Sequence, residues 1–374
     1  MPTPVRVAVL GAGGIARTSH LPALREMGAA VEVVAVCDVD AEAARQLAED
    51  WEIPRHTTDF DQLLADDAPD LVIVCTPPSA HREAVVTALA SGAWVWCEKP
   101  PVLSLAEYDE IARHERKGGP YVSYVFQHRF GSAARRLREL ASSDALGKPL
   151  VALCNTLWYR PHEYFDVPWR GRWQTEGGGP TMGHGIHQMD LLLSLLGDWT
   201  EVMATAATLD RDTETEDVSF AIVRFRSGAL ASITNSLLSP RETSYLRFDF
   251  TQATVEVEHL YGYDNTNWRW TPSATVEAAL ANSWPPTEDR PSSHAAQLRQ
   301  LIDSYRSGER PAASGPDGRR VLELVAGLYQ STFERRAVRR SELDSSNPFY
   351  GSMAGHSPTT FTDILKPKEE ESHA

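Results

Sequence analysis

Two histidines and an aspartate stand close together behind a run of glycines. The stretch EGGGPTMGHGIHQMDLLLSLLG, residues 176–197, places His184, His187 and Asp190 at the start of a leucine-rich helix. At about 100° per residue the leucines share one helix face, and His187 and Asp190 share the opposite face with Ser194. We therefore expect His187 and Asp190 to face a cleft, with the preceding glycines letting the backbone and a cofactor approach closely.

Two of these side chains allow more than one interpretation. His184 fits a helix-start histidine bonded to backbone or water as well as it fits a substrate contact. Asp190 can orient His187, bind a hydroxyl group, or take part in a structural hydrogen bond. A His/His/Asp metal site is possible on spacing alone, but no further ligand cluster supports it, so we expect no bound metal.

A glycine-rich loop near the start of the chain has the spacing of a dinucleotide site. GAGGIA, residues 11–16, follows an apolar strand pattern and opens a helix, and Asp38 ends the next strand. In this pattern the first glycine permits the tight turn, the second lets the backbone approach a pyrophosphate, and the acidic residue binds a ribose diol while repelling a 2′-phosphate. We favour bound NAD over NADP, and over a purely structural turn. The loop residues expected at the cofactor are Gly11, Gly13, Gly14 and Ile15.

Two further motifs follow predicted strands. CTPPSAH, residues 75–81, contributes Thr76, Pro77 and His81, and CEKPP, residues 97–101, contributes Glu98 and Lys99. Ligands bind at the carboxyl ends of strands in open α/β sheets. A lysine there can donate a hydrogen bond to a substrate hydroxyl and stabilise a developing alkoxide, although most lysines are simply solvated.

An aromatic and basic segment has the composition of a carbohydrate site. NTLWYRPHEYF, residues 155–165, contains Trp158, Tyr159 and Arg160. Aromatic faces and planar donors suit sugar rings, which combine C–H faces with many hydroxyls. Packing at an oligomer interface explains the same residues equally well.

The elements that would position these residues form two domains. In the first 125 residues, near-continuous apolar strands alternate with helical segments, which predicts a doubly wound parallel sheet of the Rossmann type. The predicted strands are VRVAVLG (5–11), VEVVAVCD (31–38), DLVIVCTP (70–77), WVWCEKP (94–100) and YVSYVF (121–126).

The pattern changes in the second domain, residues 126–345. Alternating segments at 217–225, 229–237, 245–250 and 254–259 predict an α+β domain with an open, mainly antiparallel sheet. Helices are expected at about 293–307 and 316–336, and these terminal helices can pack back on the first domain. Residues 346–374 are expected to form a partly disordered tail. Within it, NPFYGSM (347–353) is interpreted as surface-bound rather than folded over a cleft.

Composition narrows the class of partner. The 374 residues are 42% hydrophobic with a net charge of −15, so we expect a small-molecule partner rather than nucleic acid. No apolar run reaches the roughly 18 residues of a membrane span, and no export signal is recognised, which leads us to expect a cytoplasmic protein. The four cysteines are far apart and are expected to be reduced and buried.

Taken together, the motifs resemble a known family. GAGGIA, Asp38, TPPSAH, EKP, FQHRF (126–130), WRGRW (169–173), GGGPTMGHGIHQMD and DGRRVLELVAGLYQST occur in the order and approximate spacing of the glucose-fructose oxidoreductase, inositol dehydrogenase and rhizopine catabolism (Gfo/Idh/MocA) family. The resemblance covers nearly the whole chain. It implies NAD(P)-dependent oxidation or reduction of a sugar, polyol or related hydroxyl compound, and a dimer or tetramer joined through the open sheet.

The resemblance also implies residue roles. Lys99 matches the active-site lysine of the E-K-P motif, and His187 matches the histidine that serves as general base. Arg129, Trp169 and Arg170 match positions that line the cleft. Two departures from the family pattern are Pro78, where asparagine is usual, and Gly183, where an aspartate is usual.

These observations predict an NAD-dependent dehydrogenase. Lys99, His187 and Asp190 are the predicted catalytic residues. Two alternatives remain open, a redox-assisted glycoside hydrolase and a catalytically silent sugar- or nucleotide-sensing regulator. The residues expected at the cofactor are those of the glycine loop with Asp38, Thr76, Pro77, His81, Glu98, Lys99, Trp169 and Arg170. The residues expected at the substrate are Lys99, Arg129, Trp158, Tyr159, Arg160, His184, His187 and Asp190.

Overall fold

The computed structural model describes residues 3–355 and 361, and these build two β-sheets with helices between and around them. The first sheet has six strands in the order β3-β2-β1-β4-β5-β6, all parallel. This is the order of a dinucleotide-binding fold, with the strand order reversing between β1 and β4. The strands are β1 (Val5–Leu10), β2 (Val31–Cys37), β3 (His56–Thr57), β4 (Leu71–Val74), β5 (Trp94–Cys97) and β6 (Val122–Tyr124).

The helices of this region follow the strands and cover the sheet. Three of them, α2, α3 and α5, start at short polar side chains that accept backbone N–H groups, as Asp40 does from Glu42 and Ala43 and Ser104 does from Glu107. The central strands β4 and β5 are buried along their whole length, which explains their uninterrupted apolar sequence. The helices are α1 (Leu21–Met27), α2 (Ala41–Trp51), α3 (Phe60–Asp67), α4 (His81–Ser91) and α5 (Leu105–Ala112).

The second sheet has eight strands in the order β13-β12-β11-β7-β10-β9-β8-β14. It is antiparallel apart from the pairing of β7 with β10, so the predicted open and mainly antiparallel sheet is confirmed. The strands are β7 (Pro149–Tyr159), β8 (Trp199–Ala207), β9 (Val218–Phe225), β10 (Leu230–Ser236), β11 (Leu238–Phe250), β12 (Ala253–His259), β13 (Trp268–Pro272) and β14 (Val338–Arg339).

One face of this sheet is covered by helices and the other is open. The covered face packs against α8 and α11, while on the other face Met203, Phe220 and Ile222 are each at least half exposed. The remaining helices are α6 (Ser132–Ser142), α7 (Pro180–Gly183), α8 (Ile186–Leu196), α9 (Ala278–Ala281), α10 (His294–Ser307), α11 (Gly315–Glu334) and α12 (Pro348–Gly351).

Helix α8 has no polar face turned to solvent. His187 and Asp190 are as buried as the leucines, since the helix lies between the second sheet, α6 and α11. The expectation of one buried face and one cleft face is therefore wrong for this helix, because both faces meet protein.

Two of the glycines before α8 are required by packing inside the protein. A Cβ on Gly179 would lie 1.8 Å from the Glu216 carbonyl oxygen, and one on Gly185 would lie 1.9 Å from Asn235 Oδ1. Gly179 and Gly185 let the segment pack against the second sheet, while Gly183 lines the cavity described below. Glu216 also accepts the backbone N–H groups of Gly179 and Thr181, each at 3.0 Å, which anchors the start of α7.

Later segments return to the first sheet. Helix α10 packs against α1, and its Leu298 and Leu301 lie in the same apolar cluster as β1. Near the end of the described chain, α12 contacts α5 and α11, and Tyr350 donates a hydrogen bond to Asp109. Residues 347–353 are thus held on the surface of these helices, whereas the predicted disordered end falls outside the described residues.

Two sequence expectations concern the chain as a whole. All four cysteines are free and buried. Over the described part of the chain, we find no helix with both the length and the apolar character needed to cross a membrane.

Candidate functional site

A cavity of about 700 Å³ opens at the carboxyl ends of the first sheet's strands, beside the loop that precedes α7. It lies where the strand order reverses, which is the usual ligand position in such sheets. The predicted residues that line it are Gly11, Gly13, Gly14, Ile15, Asp38, Thr76, Pro77, Glu98, Lys99, Trp169, Arg170 and His184. The predicted residues outside the lining are His81, Arg129, Trp158, Tyr159, Arg160, His187 and Asp190.

The glycine loop forms one wall of this cavity. Gly11 has φ +103°, and a Cβ there would lie 2.8 Å from the Cys75 carbonyl carbon, so only glycine fits. Gly13 and Gly14 have no atom within 4 Å of a built Cβ. Their backbone therefore borders open space, as a loop that receives a pyrophosphate must.

Asp38 holds this loop and still faces the cavity. Its Oδ2 accepts the backbone N–H of Ala12 at 2.6 Å, and its Oδ1 accepts that of Asp40 at 2.9 Å. A carboxylate has about four acceptor sites, so both oxygens keep capacity for a ribose diol.

Glu98 is fixed beneath the cavity floor. Its Oε1 lies 2.8 Å from His20 Nε2 and 3.6 Å from His294 Nε2, and its Oε2 accepts the backbone N–H of Lys99 at 3.1 Å. Burial favours the neutral acid, but the hydrogen bond from His20 and the nearby His294 ring hold the pKa of Glu98 well below its usual value. Burial also lowers the pKa of His20, so we describe the pair as a neutral imidazole donating to a carboxylate. Glu98 thereby positions Lys99.

Lys99 reaches from the first sheet to the segment before α8. Its Nζ donates a hydrogen bond to the Gly183 carbonyl oxygen at 2.7 Å. Burial lowers the pKa of Lys99, while the negative charges of Glu98 and Glu176 act in the opposite direction. The ammonium group is therefore placed where the two parts of the chain meet.

The two histidines occupy different positions. His184 lines the cavity, with its Nε2 3.4 Å from the Tyr164 hydroxyl. His187 lies behind it, edge-on to His128 and Tyr261, and neither of its ring nitrogens has a hydrogen-bond partner among the described residues. Burial, and the positive charge of Lys99 after it, lower the pKa of both imidazoles well below the usual value. Both are therefore neutral near pH 7.

Asp190 and Arg129 bind each other rather than the cavity. Arg129 Nε donates to Asp190 Oδ2 at 2.7 Å, and Arg129 Nη2 bonds to the other oxygen. The remaining guanidinium nitrogen pairs with Asp317 at the start of α11. Arg129 and Asp190 are almost fully buried. The expectation that they lie in the cleft is corrected, because their charges compensate each other inside the protein.

His81 and the residues of the aromatic segment also have protein partners. The His81 ring lies 2.9 Å from the carbonyl oxygens of both Thr76 and Pro100, which ties together the loops after β4 and β5. Trp158 Nε1 donates to Ser244 Oγ, and Arg160 pairs with Glu242. Tyr159, at the end of β7, is 40% exposed outside the cavity.

Among the cavity residues that were not predicted from the sequence, Tyr164 and Glu176 carry polar groups that can bind a ligand. The guanidinium group of Arg170 lies over the Tyr164 ring, 3.7 Å from the ring centroid. Glu176 places a carboxyl group beside Lys99 and Gly183. Glu176 stands directly before the glycine run, and this position in the sequence could have identified it as a site residue. Tyr164 gave no signal beyond its aromatic character.

Comparison with known proteins agrees with this geometry. Residues 5–126 match the model of the oxidoreductase family with an NAD-binding Rossmann fold, and residues 134–256 match that of the GFO/IDH/MocA C-terminal domain. Together the two models cover more than half of the chain.

The relatives have named activities. The chain is 28% identical to D-glucoside 3-dehydrogenase of Escherichia coli, covering 88% of this chain and 95% of the relative. It is 27% identical to myo-inositol 2-dehydrogenase of Thermotoga maritima, covering 91% and 99%. Among solved structures, WlbA dehydrogenase of Chromobacterium violaceum, crystallised with NADH and UDP-GlcNAcA, is 26% identical with a TM-score of 0.79 over 90% of this chain and 96% of that one. The chain belongs to the Gfo/Idh/MocA family of NAD-binding oxidoreductases, and it is a dehydrogenase whose cofactor is NAD.

Proposed function

We propose that this protein transfers a hydride between NAD and a secondary hydroxyl or keto group of a sugar, polyol or inositol. The observation that carries the proposal is the position of Lys99. It lines the same cavity as the glycine loop and Asp38, and its Nζ is 2.7 Å from the segment that carries His184.

The residues that would hold the cofactor fit it. Gly13 and Gly14 border open space, and Asp38 has free acceptor capacity toward that space. When bound, NAD accepts or returns the hydride of the reacting carbon. The protein's part is to bind the alcohol, orient it and manage its proton.

Lys99 is suited to the oxygen of the reacting group. An ammonium group donates a hydrogen bond to the hydroxyl and stabilises the negative charge that grows as the proton leaves. Its reduced pKa brings it closer to the working pH, which favours proton exchange.

The proton acceptor is one of the two neutral histidines. Family resemblance assigns the role to His187, and this remains a prediction. His184 lines the cavity beside Lys99, so a substrate contact through His184 has the more direct support.

The carbohydrate side of the cavity is built from Tyr164, Trp169, Arg170 and Glu176. Aromatic rings and planar or charged hydrogen-bonding groups suit a polyhydroxylated ring. The activities of the relatives named above support the same substrate class.

A substrate screen tests the proposal. Purified protein with NAD is presented with pyranosides, aldoses and inositols, and NADH absorbance is followed. We expect oxidation of at least one compound, reduced by roughly a hundredfold or more in Lys99→Met with NAD binding retained. Lys117→Met, at an exposed lysine, is the matched control and should retain full turnover. A Lys99→Met variant with normal turnover, or a screen with no oxidised compound, contradicts the proposal.

We further propose that copies of the chain associate through the open sheet. Its outer face presents neighbouring apolar side chains, with Ile222 59% exposed and paired across strands with Met203, which is 60% exposed. Patches of this kind mark interaction surfaces. Ile222→Arg should then lower the molar mass measured by light scattering, and an unchanged mass contradicts an interface there.

A further inference from the structure

Glu176, which lines the carbohydrate side of the cavity, is a buried carboxylate close to Lys99. The residue is 6% exposed and lines the cavity, although a carboxylate in such a place loses most of its hydration. Its Oε2 accepts the backbone N–H of Gly171 at 2.6 Å. Among the described residues, Oε1 makes no hydrogen bond. One oxygen thus fixes the side chain and the other is left for a partner in the cavity.

Gly183 lies next to this free oxygen. A Cβ built on Gly183 would lie 3.5 Å from Glu176 Oε1, with no other atom within 4 Å. The Gly183 carbonyl oxygen is the acceptor of Lys99 Nζ. The carboxylate and the ammonium group therefore approach the same residue from different elements.

The surrounding charge is mostly positive. Burial raises the pKa of Glu176, while the Gly171 N–H, Arg170 and Lys99 act to lower it. In return, Glu176 and Glu98 are the negative charges that oppose the desolvation of Lys99. Both oxygens of Glu98 already have a partner, in His20 and the Lys99 backbone, whereas Glu176 Oε1 has none among the described residues.

We propose that Glu176 is a further catalytic residue of this dehydrogenase, whose Oε1 accepts a hydrogen bond from a hydroxyl of the bound carbohydrate and whose charge stabilises the Lys99 ammonium group. The proposal rests on the proposed function for its substrate. Its electrostatic part concerns Lys99 alone and can be measured without any substrate.

The first test follows the reactivity of Lys99. The protein is treated with an amine-acylating reagent across a pH series, and mass spectrometry gives the extent of acylation at Lys99, with Lys117 and Lys148 as internal references. The titratable and charged groups acting on Lys99 or affected by it are Glu98, Glu176, Arg160, Arg170, His128, His184 and His187.

Removing one negative charge from this set disfavours the ammonium form. Glu176→Gln keeps an oxygen for the Gly171 N–H but loses the charge, so the acylation midpoint of Lys99 should move to lower pH. Glu163→Gln, at an exposed glutamate near Tyr164, should leave the midpoint in place. A Glu176→Gln midpoint equal to that of the unmodified protein overturns the proposal.

The second test uses the best substrate from the screen. Glu176→Gln should lower kcat/KM by at least tenfold with NAD binding unchanged. Adding Gly183→Asp brings a negative charge back beside residue 176, and Gly183 does not have the positive φ that would oppose a side chain. The double variant should regain most of the lost kcat/KM.

The outcomes separate this inference from the proposed function. If the unmodified protein oxidises nothing, the proposed function fails while the acylation series still tests the charge on Lys99. If the unmodified protein is active, the proposal is overturned by a Glu176→Gln variant with normal kcat/KM or by a double variant no better than Glu176→Gln.

Discussion

Asp190→Asn distinguishes a structural role of Asp190 from a catalytic one. In the structure Arg129 binds Asp190 through two nitrogens, and both residues are at most 3% exposed. Asparagine has nearly the same volume as aspartate, so no cavity forms. However, an amide N–H group of the new side chain can then face the guanidinium group, and Asp317 becomes the one carboxylate that compensates the buried charge of Arg129. Breaking a buried ion pair from one side costs about 3–5 kcal/mol.

The lower end of that range applies here, because Arg129 keeps one carboxylate partner. A loss of about 3 kcal/mol corresponds to a fall in melting temperature of about 6–12 °C in a domain of this size. Thermal unfolding followed by circular dichroism gives the shift. Asp317→Asn is the matched control, since the Asp317 side chain is 37% exposed, and its pairing should be worth about 1 kcal/mol or less.

Activity at a temperature where both variants are folded completes the test. Because Arg129 already compensates the charge of Asp190, we expect the pH–rate profile of Asp190→Asn to keep its position. An unchanged melting temperature together with a displaced profile would refute the structural interpretation and restore the catalytic one.

Three further outcomes follow from the site. Asp38→Ser should weaken NAD binding and relax the exclusion of NADP, because the diol acceptor and the repelling charge are both lost; titration of each cofactor by fluorescence checks this. Burial raises the pKa of Glu216 to about 7, so the folded state binds this proton more tightly than the unfolded state. Stability should then fall as pH rises from about 4.5 to 7, by up to roughly 3 kcal/mol, and Glu216→Gln should flatten that part of a melting-temperature series. Finally, His187→Asn should nearly abolish turnover if His187 is the general base. If activity is lost only in His184→Asn, His184 is the general base instead.

The first sheet and its cofactor loop were largely predictable from the sequence. Five of its six strands are apolar runs followed by a recognisable motif, and local rules relate the glycine loop to Asp38. The sixth strand, β3 (His56–Thr57), is short and polar and was not predicted. The second sheet was predicted in part. The alternation within β9 to β12 marks strands with one open face, but β8, β13 and the two-residue β14 were not found.

The site was harder to predict because burial depends on tertiary contacts. The helical pattern correctly grouped His187 with Asp190, yet periodicity cannot report that a second layer of protein covers that face. Arg129 and Asp190 are 61 residues apart, and nothing local indicates that they pair. Glu176 stood in the first stretch considered, but its relation to Lys99 exists only once two domains meet.

The packing of α10 has a consequence for how the protein can be divided. His294 approaches Glu98 from the start of α10, which follows β13 of the second sheet in the chain, and Leu298 and Leu301 of α10 complete the apolar layer beneath β1. A fragment ending after the last strand of the first sheet would leave that layer open to water and would lack one partner of Glu98. During synthesis, the cofactor domain can reach its final packing only after about three hundred residues have emerged. Expression of the NAD-binding part alone therefore requires α10 to be supplied, either by fusion through a linker or as a separate peptide.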